Sequence, residues 1–225
     1  MRAALGVFLK APRPGAVKTR LVPALGPDAA AGLYRALAEA VVEQTQSLSG
    51  EYERLLFFTP GEARAEMEAW LPGQAWIAQD GLDLGARMAA AFDAALERGA
   101  DRVALVGSDV LGLTSSDVVT ALDSLADHDL ALGPAMDGGY YLIALGRSRP
   151  ELFRGIAWGT ASVFAVTMER AAVLGLTVRV LEPRRDIDTL DDVRKEWPRI
   201  RSLVTEPVAA AVEKALGMSP PLRLR

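Results

Sequence analysis

Apolar positions along the chain fall into two alternating kinds of run. Short stretches dense in Val, Leu, Ile, Phe and Ala occur at Ala3–Leu9, Tyr52–Thr59, Ala75–Gln79, Arg102–Gly107, Asp129–Gly133, Tyr140–Leu145 and Thr177–Leu181. Their length and bounding turn residues predict strands. Between most of them a helical pattern recurs, over Pro27–Leu48, Glu62–Trp70, Gly85–Arg98, Ser115–Ala126, Thr160–Leu174, Thr189–Arg201 and Pro207–Leu216. Strand and helix in turn are the rhythm of an α/β fold. Helix-start signals agree: Pro27 suits a first helical position, Thr189 precedes Asp192 with capping-box spacing, and Ser115 is expected to cap the helix that it opens.

Two stretches depart from simple alternation. The connection from Lys10 to Gly26 is long for a loop without a task. Between Gly133 and Gly139, Pro134, Asp137 and Gly138 join two strand-like runs with no room for a helix, which predicts an antiparallel return and so a mixed sheet. Ser219-Pro220-Pro221 followed by Leu222–Arg225 reads as a loose tail. One domain over residues 1–217 with a tail over 218–225 is therefore expected, as is usual for 225 residues.

Composition narrows the chemistry. Half of the residues are hydrophobic, enough for a substantial core, and the net charge of −4 gives no global attraction for nucleic acid or an anionic membrane. Any phosphate contact must be local. The chain has no cysteine, which removes disulfides, thiolate nucleophiles and cysteine-bound metals, and its one histidine, His128, removes multi-histidine sites. A metal would be hard and oxygen-bound, with Mg²⁺ first and Mn²⁺ as its substitute, and no organic redox cofactor is expected. Met1-Arg2 and the apolar run behind them mimic a signal peptide but lead into Lys10-Ala11-Pro12-Arg13, so the run reads as a strand of a cytoplasmic protein. No apolar stretch reaches the ~18 residues of a membrane-spanning helix.

Candidate chemistry lies after the strands. Lys10, Arg13, Lys18 and Arg20 place four cations in one loop with Gly15 and Thr19, at the sheet edge where open α/β proteins bind ligands. Such a loop can cradle phosphates, by point charge and bidentate fork, or simply be solvated. It is not a P-loop, because Val17 stands where the glycine before Lys18 should be, and G-x-G-x-x-G is absent. Gly107-Ser108-Asp109 ends a buried strand in a carboxylate suited to a metal or to a helix cap. In Asp186-Ile187-Asp188 an extended chain points both carboxylates one way, so either or both can ligate, while Asp191 and Asp192 suit the positive end of the next helix. Arg87, opening a helix behind Gly85, meets a phosphate or an acidic neighbour. Asp137-Gly138-Gly139-Tyr140-Tyr141 brings backbone amides and rings to a strand start, as an acceptor site or a plain turn; Trp158 and Thr160 can line that side or anchor packing. His128 reads as a surface turn.

Taken in order, Lys10…Gly15-x-x-Lys18-Thr19-Arg20-Leu21, Leu84-Gly85-x-Arg87-Met88, Gly107-Ser108-Asp109, Gly133-Pro134-x-x-Asp137-Gly138-Gly139-Tyr140-Tyr141-Leu142, Trp158-x-Thr160 and Asp186-x-Asp188-Thr189-x-x-Asp192 resemble the DUF2064 family. This family is also called transferase 1, radical-SAM/selenodomain-associated. It belongs to the nucleotide-diphospho-sugar transferase superfamily and is similar to phospholactate guanylyltransferase and molybdenum cofactor guanylyltransferase. The resemblance covers roughly Ala3 to Arg194 and implies a GT-A fold, a Rossmann-like, mostly parallel mixed sheet flanked by helices. It implies that Lys18 and Arg20 face phosphates, that Asp109 and Asp188 face magnesium, and that Gly138-Gly139 face the acceptor. The chain departs from the family at Val110-Leu111, where Cys-Pro is common.

The expected partners are an NTP or nucleotide sugar and a small-molecule acceptor; a homo-oligomer through Pro207–Leu216 is left open. Nucleotidylyl transfer to a phosphorylated acceptor is favoured, with Lys18, Arg20 and Asp109 as the catalytic set. The basic loop suits a triphosphate, and the paired acids of Asp-x-Asp glycosyltransferases are absent from Gly107-Ser108-Asp109. Glycosyl transfer and a binding module without chemistry are the alternatives.

Overall fold

Along the first strand, Leu5, Val7 and Leu9 enter one apolar cluster while Ala4 enters the other, with Phe8 packed against it. The same two-residue alternation splits Leu56 and Phe58 from Leu55 and Phe57, and Leu142 and Ala144 from Ile143 and Leu145. A sheet buried on both faces follows. The computed structural model describes residues 2–218. Its strands are β1 (Ala3–Lys10), β2 (Glu53–Thr59), β3 (Trp76–Ala78), β4 (Arg102–Val106), β5 (Leu130–Pro134), β6 (Tyr140–Leu145) and β7 (Val178–Val180).

These form one seven-stranded sheet in the order β3-β2-β1-β4-β6-β5-β7. β1 pairs in parallel with β2 and β4, in register Val7 with Leu56 and Val106. β6 runs antiparallel to both neighbours, Leu142 facing Val106 and Gly133. The expected mixed sheet is thus observed, and its reversal comes from the short Gly133–Gly139 connection.

The helices are α1 (Val22–Leu25), α2 (Pro27–Gln44), α3 (Arg64–Trp70), α4 (Leu84–Glu97), α5 (Ser115–Ser124), α6 (Val163–Val173), α7 (Leu190–Ile200) and α8 (Glu206–Ala215). α2, which leads from β1 to β2, packs Tyr34, Ala38 and Val41 on one face; α4, which leads from β3 to β4, packs Met88, Phe92 and Ala95 on the other. Chain direction therefore diverges between β1 and β4, and a crevice opens beyond their carboxyl ends. α8 buries Val208, Ala209 and Val212 against α1, α2 and α7, so its apolar face is used internally.

Local boundaries differ from the sequence reading in instructive ways. Thr114, not Ser115, caps α5: Thr114 Oγ1 donates to Asp117 Oδ2 at 2.7 Å and its backbone N–H donates to the same oxygen at 2.8 Å. Asp117 supplies the return partner that selects Thr114. α2 stops at Gln44, where Thr45 turns its hydroxyl back onto the Val41 carbonyl at 2.6 Å, rather than running to Leu48. α6 begins at Val163, because Thr160 and Ser162 bind each other at 2.9 Å in the preceding turn. The long connection after β1 contains α1, started by Pro23 in its first turn. The expected tail lies, apart from Met218, outside the described residues. No helix among the described residues is long and apolar enough to cross a membrane.

Candidate active site

The loop leaving β1 is pinned at both ends of its basic stretch. Val17 and Leu21 are buried at 2% and 0% exposure, and the chain between them turns back through a Leu21 N–H to Lys18 carbonyl bond of 2.8 Å. Lys18 takes φ +46°, a left-handed conformation rare for a residue with a side chain. That turn sends its side chain inward, where 3% of it remains exposed. Its ammonium donates to Asp109 Oδ2 at 2.9 Å and to Asp188 Oδ1 at 3.3 Å. Arg20 stays on the surface and reaches Asp188 Oδ2 at 2.8 Å.

Asp109 and Asp188 are far apart in sequence and meet through backbone pairing. Val110 bridges Asp186 in antiparallel fashion, and the Ile187 N–H donates to the Asp109 carbonyl at 3.0 Å. Val110 and Leu111, the departure from Cys-Pro, are buried and take part in this junction. Arg184 reinforces it from the same segment, donating to the Gly112 carbonyl and to Asp117, both at 2.7 Å.

Opposite charges in this crevice hold one another ionised. Burial alone would push the Lys18 ammonium down, but Asp109 and Asp188 outweigh it and hold it above its ordinary value. Burial likewise opposes the Asp109 carboxylate, and the Lys18 charge more than compensates, so Asp109 lies below the usual range. At Asp186 the Lys18 charge is outweighed: burial, then Asp137 and Asp109, push it up to about 6.

Two adjoining cavities open on Asp109. The basic one, about 360 Å³, is walled by Lys10, Lys18, Arg87, Ser108, Asp109 and Asp188, with Tyr34 and Gln79 at its side. The other, about 250 Å³, is lined by Phe8, Met88, Tyr140 and Trp158 together with Asp109, Asp137 and Asp186. The family resemblance implies a divalent cation, and the donors fit one: Asp109 and Asp188 offer hard oxygens that converge on a single positive group, here the Lys18 ammonium. Among the described residues no three carboxylates are close enough to form a ready metal cage, so protein ligands would be few, as Mg²⁺ tolerates when phosphates complete its shell.

The profile of an uncharacterized protein conserved in bacteria, DUF2064, matches residues 41–160. The chain belongs to DUF2064. A structure from Desulfovibrio desulfuricans G20, provisionally described as a nucleotide-diphospho-sugar transferase, is 35% identical over 96% of this chain and 99% of its own, with TM-score 0.84. A cytidylyltransferase from Leptospira borgpetersenii serovar Hardjo-bovis shares the fold at 14% identity, TM-score 0.58, covering 100% of this chain and 99% of its own. So does CMP:2-keto-3-deoxy-manno-octonic acid synthetase complexed with CTP, at 13% identity and TM-score 0.54 over 90% of this chain and 99% of its own. No curated protein matches the sequence.

On this DUF2064 chain the sequence-expected residues separate clearly. Lys10, Lys18, Arg87, Ser108, Asp109 and Asp188 converge on the basic cavity, and Asp137, Gly139, Tyr140, Trp158, Thr160 and Asp186 on its neighbour. Gly15 and Thr19 are exposed on the loop and line neither, and Arg20 touches the site only through Asp188. Arg13 turns away to Glu66 at 2.8 Å and Glu62 at 3.5 Å. The Gly138 N–H donates to the Ala135 carbonyl at 3.2 Å and the Gly139 N–H to Asp137 Oδ1 at 2.8 Å, so neither amide is spare. Gly138 is required by close approach: at φ +92°, a Cβ there would lie 2.2 Å from the Ala161 carbonyl oxygen. His128 binds the Ser124 carbonyl through Nδ1 at 3.1 Å and lines neither cavity.

Tyr34 is the residue that the sequence did not signal. Its buried hydroxyl accepts from the Lys10 N–H at 2.7 Å and lies 3.2 Å from Ser108 Oγ, tying the β1 and β4 loops together. In sequence it is one more apolar position of α2. Gln79 is similar, donating to the Phe57 carbonyl at 2.9 Å beside the cavity.

Proposed function

We propose that this chain is a transferase of nucleotide-activated substrates, acting over residues 1–217 as one unit, and that its reaction is nucleotidylyl transfer from an NTP. The observation that carries this reading is Lys18. A buried cation in a left-handed turn, held between Asp109 and Asp188, shares one cavity at the β1/β4 switch point with Lys10 and Arg87. Burying an ammonium is costly without a partner, and strain at such a turn persists only where its surroundings enforce it. Three cations beside two carboxylates suit a polyphosphate with a divalent ion.

In this reading Lys18 and Lys10 neutralise the phosphates, Arg87 adds a guanidinium anchored on the Gly81 carbonyl at 3.1 Å, and Arg20 holds Asp188. Asp109 and Asp188 would hold Mg²⁺, which when bound offsets charge on the phosphates and on the leaving pyrophosphate. An acceptor oxygen attacks the α-phosphorus, a hydroxyl losing its proton to solvent as it does so; the new P–O bond forms as the bond from the α-phosphorus to the bridging oxygen of the β-phosphate breaks, and pyrophosphate departs. Positioning and charge neutralisation supply most of such a rate, so the lack of cysteine is no obstacle.

Glycosyl transfer is the second reading, favoured by one observation: the adjoining cavity is walled by rings and carboxylates, as suits a sugar. The products separate the two. Pyrophosphate released from an NTP in an enzyme-dependent manner supports nucleotidylyl transfer. A nucleoside diphosphate released from a nucleotide sugar, with no pyrophosphate from any NTP, overturns it in favour of glycosyl transfer.

A further inference from the structure

The two cavities that share Asp109 differ sharply in charge. The basic cavity contains Lys10, Lys18 and Arg87, whereas the wall of its neighbour has three carboxylates, Asp109, Asp137 and Asp186, and no lysine, arginine or histidine. Asp109 is matched by Lys18 across the boundary. Asp137 has no cationic partner among the described residues; Oδ1 accepts from the Gly139 N–H, which leaves Oδ2 for a ligand. An anionic group brought here would meet like charges in a partly desolvated space without a counter-charge in the wall.

Most of the rest of the wall is apolar. Trp158 and Tyr140 stand edge to face with ring centroids 6.4 Å apart, and Phe8 and Met88 line the same space. Rings and carboxylates together suit the apolar face and the hydroxyl rim of a polyhydroxylated compound. We infer that the group seated in this cavity is a polyhydroxylated one without an anionic substituent, its hydroxyl or ammonium donors bound by Asp137 and Asp186. This rests on the reading that phosphates occupy the basic cavity, and it replaces the phosphorylated acceptor expected from sequence.

The test uses the full chain and its tryptophan fluorescence, titrated with glucose, glucosamine, glucuronate and a glucose phosphate at matched ionic strength, with and without a saturating Mg–nucleotide. Glucose and glucosamine quench saturably and bind about tenfold or more tightly than the two anions, and Trp158→Phe removes the signal. Asp137→Asn weakens glucosamine severalfold, and Asp137→Lys raises affinity for the anions relative to the neutral sugar. Ligand-induced shifts of the unfolding midpoint give the same order if the Trp158 variant folds poorly. Tighter binding of glucuronate or the glucose phosphate by the wild-type chain, or no saturable response to glucose and glucosamine, overturns the inference. Nucleotide binding measured on the same samples keeps the two claims separate. Its loss defeats the proposed function, whereas a reversed sugar order with nucleotide bound defeats only this assignment.

Discussion

The ammonium of Lys18 lies 2.9 Å from Asp109 Oδ2, a contact between residues 91 positions apart that joins the loop after β1 to the loop after β4. It spans the point where the sheet's connections diverge, and Asp188 joins it from the segment before α7. The pair thus gathers three chain segments into one charged centre.

Two substitutions at Lys18 separate its chemistry from its backbone. Lys18→Ala and Lys18→Gly both remove the ammonium and are expected to lower turnover by about a hundred- to a thousandfold, as loss of a transition-state donor does. They differ in stability. A side chain in the left-handed region costs roughly 1–2 kcal/mol, whereas glycine loses about 0.5–1 kcal/mol more backbone freedom on folding, so the glycine variant is the more stable by up to about 1.5 kcal/mol. Denaturant unfolding of the two side by side checks this, and a clearly weaker glycine variant would contradict the strained turn.

At Asp186 the sign of a pH effect is fixed. Its carboxyl is pushed up to about 6, mainly by burial and then by Asp137 and Asp109, so the folded chain holds this proton more tightly than the unfolded one. The stabilisation is complete below about pH 4, is lost as pH rises through about 6, and stays lost above. Asp186→Asn is therefore expected to raise the unfolding midpoint of the metal-free protein at pH 8 relative to wild type and to change it little at pH 4. A variant less stable at pH 8 would mean that the ionised carboxylate has a partner.

The strand runs, their period-two faces and the antiparallel return at Gly133–Gly139 were legible because each is a local pattern. So was the rough place of the candidate site, the sheet edge where Lys18, Asp109 and Asp188 meet, since all three follow strands. Tyr34 was hidden because a hydroxyl on a buried helical face reads as one more core ring. The inward turn of Lys18 was hidden too, because nothing in Val17-Lys18-Thr19 marks a left-handed residue. The junction of Val110 with Asp186 is a long-range pairing, visible only once the sheet has brought the two loops together.

Gly85 illustrates the same limit and yields a prediction. It lies in the first turn of α4, where alanine would improve helix propensity by about 1 kcal/mol. A Cβ there, however, would stand 2.7 Å from the Phe153 carbonyl oxygen and 2.8 Å from the Trp158 ring. Overpacking of this kind costs about 1–3 kcal/mol, so the net effect of Gly85→Ala is destabilising. Because Trp158 must shift, acceptor KM rises while nucleotide Kd changes little; equal stability and unchanged acceptor KM would show that the contact is soft.

Tyr34→Phe removes the hydroxyl between the Lys10 N–H and Ser108 Oγ while keeping the ring. The loss leaves a donor near the cavity unpaired and is expected to cost about 1–3 kcal/mol of stability. Nucleotide affinity should fall with it, since both tied loops line the basic cavity. Chemical unfolding and a nucleotide titration on the same sample test both effects.

Calorimetric titration of Mg–NTPs and nucleotide sugars into wild-type, Lys18→Ala and Asp109→Asn proteins tests the central claim most directly. The wild-type chain is expected to bind at least one donor saturably and in a metal-dependent way, and each variant to bind it about a hundredfold more weakly, a loss of about 2.7 kcal/mol, with its fold intact. Equal affinity in all three folded proteins would contradict the account, because the nucleotide would then lie elsewhere than on the Lys18–Asp109 centre.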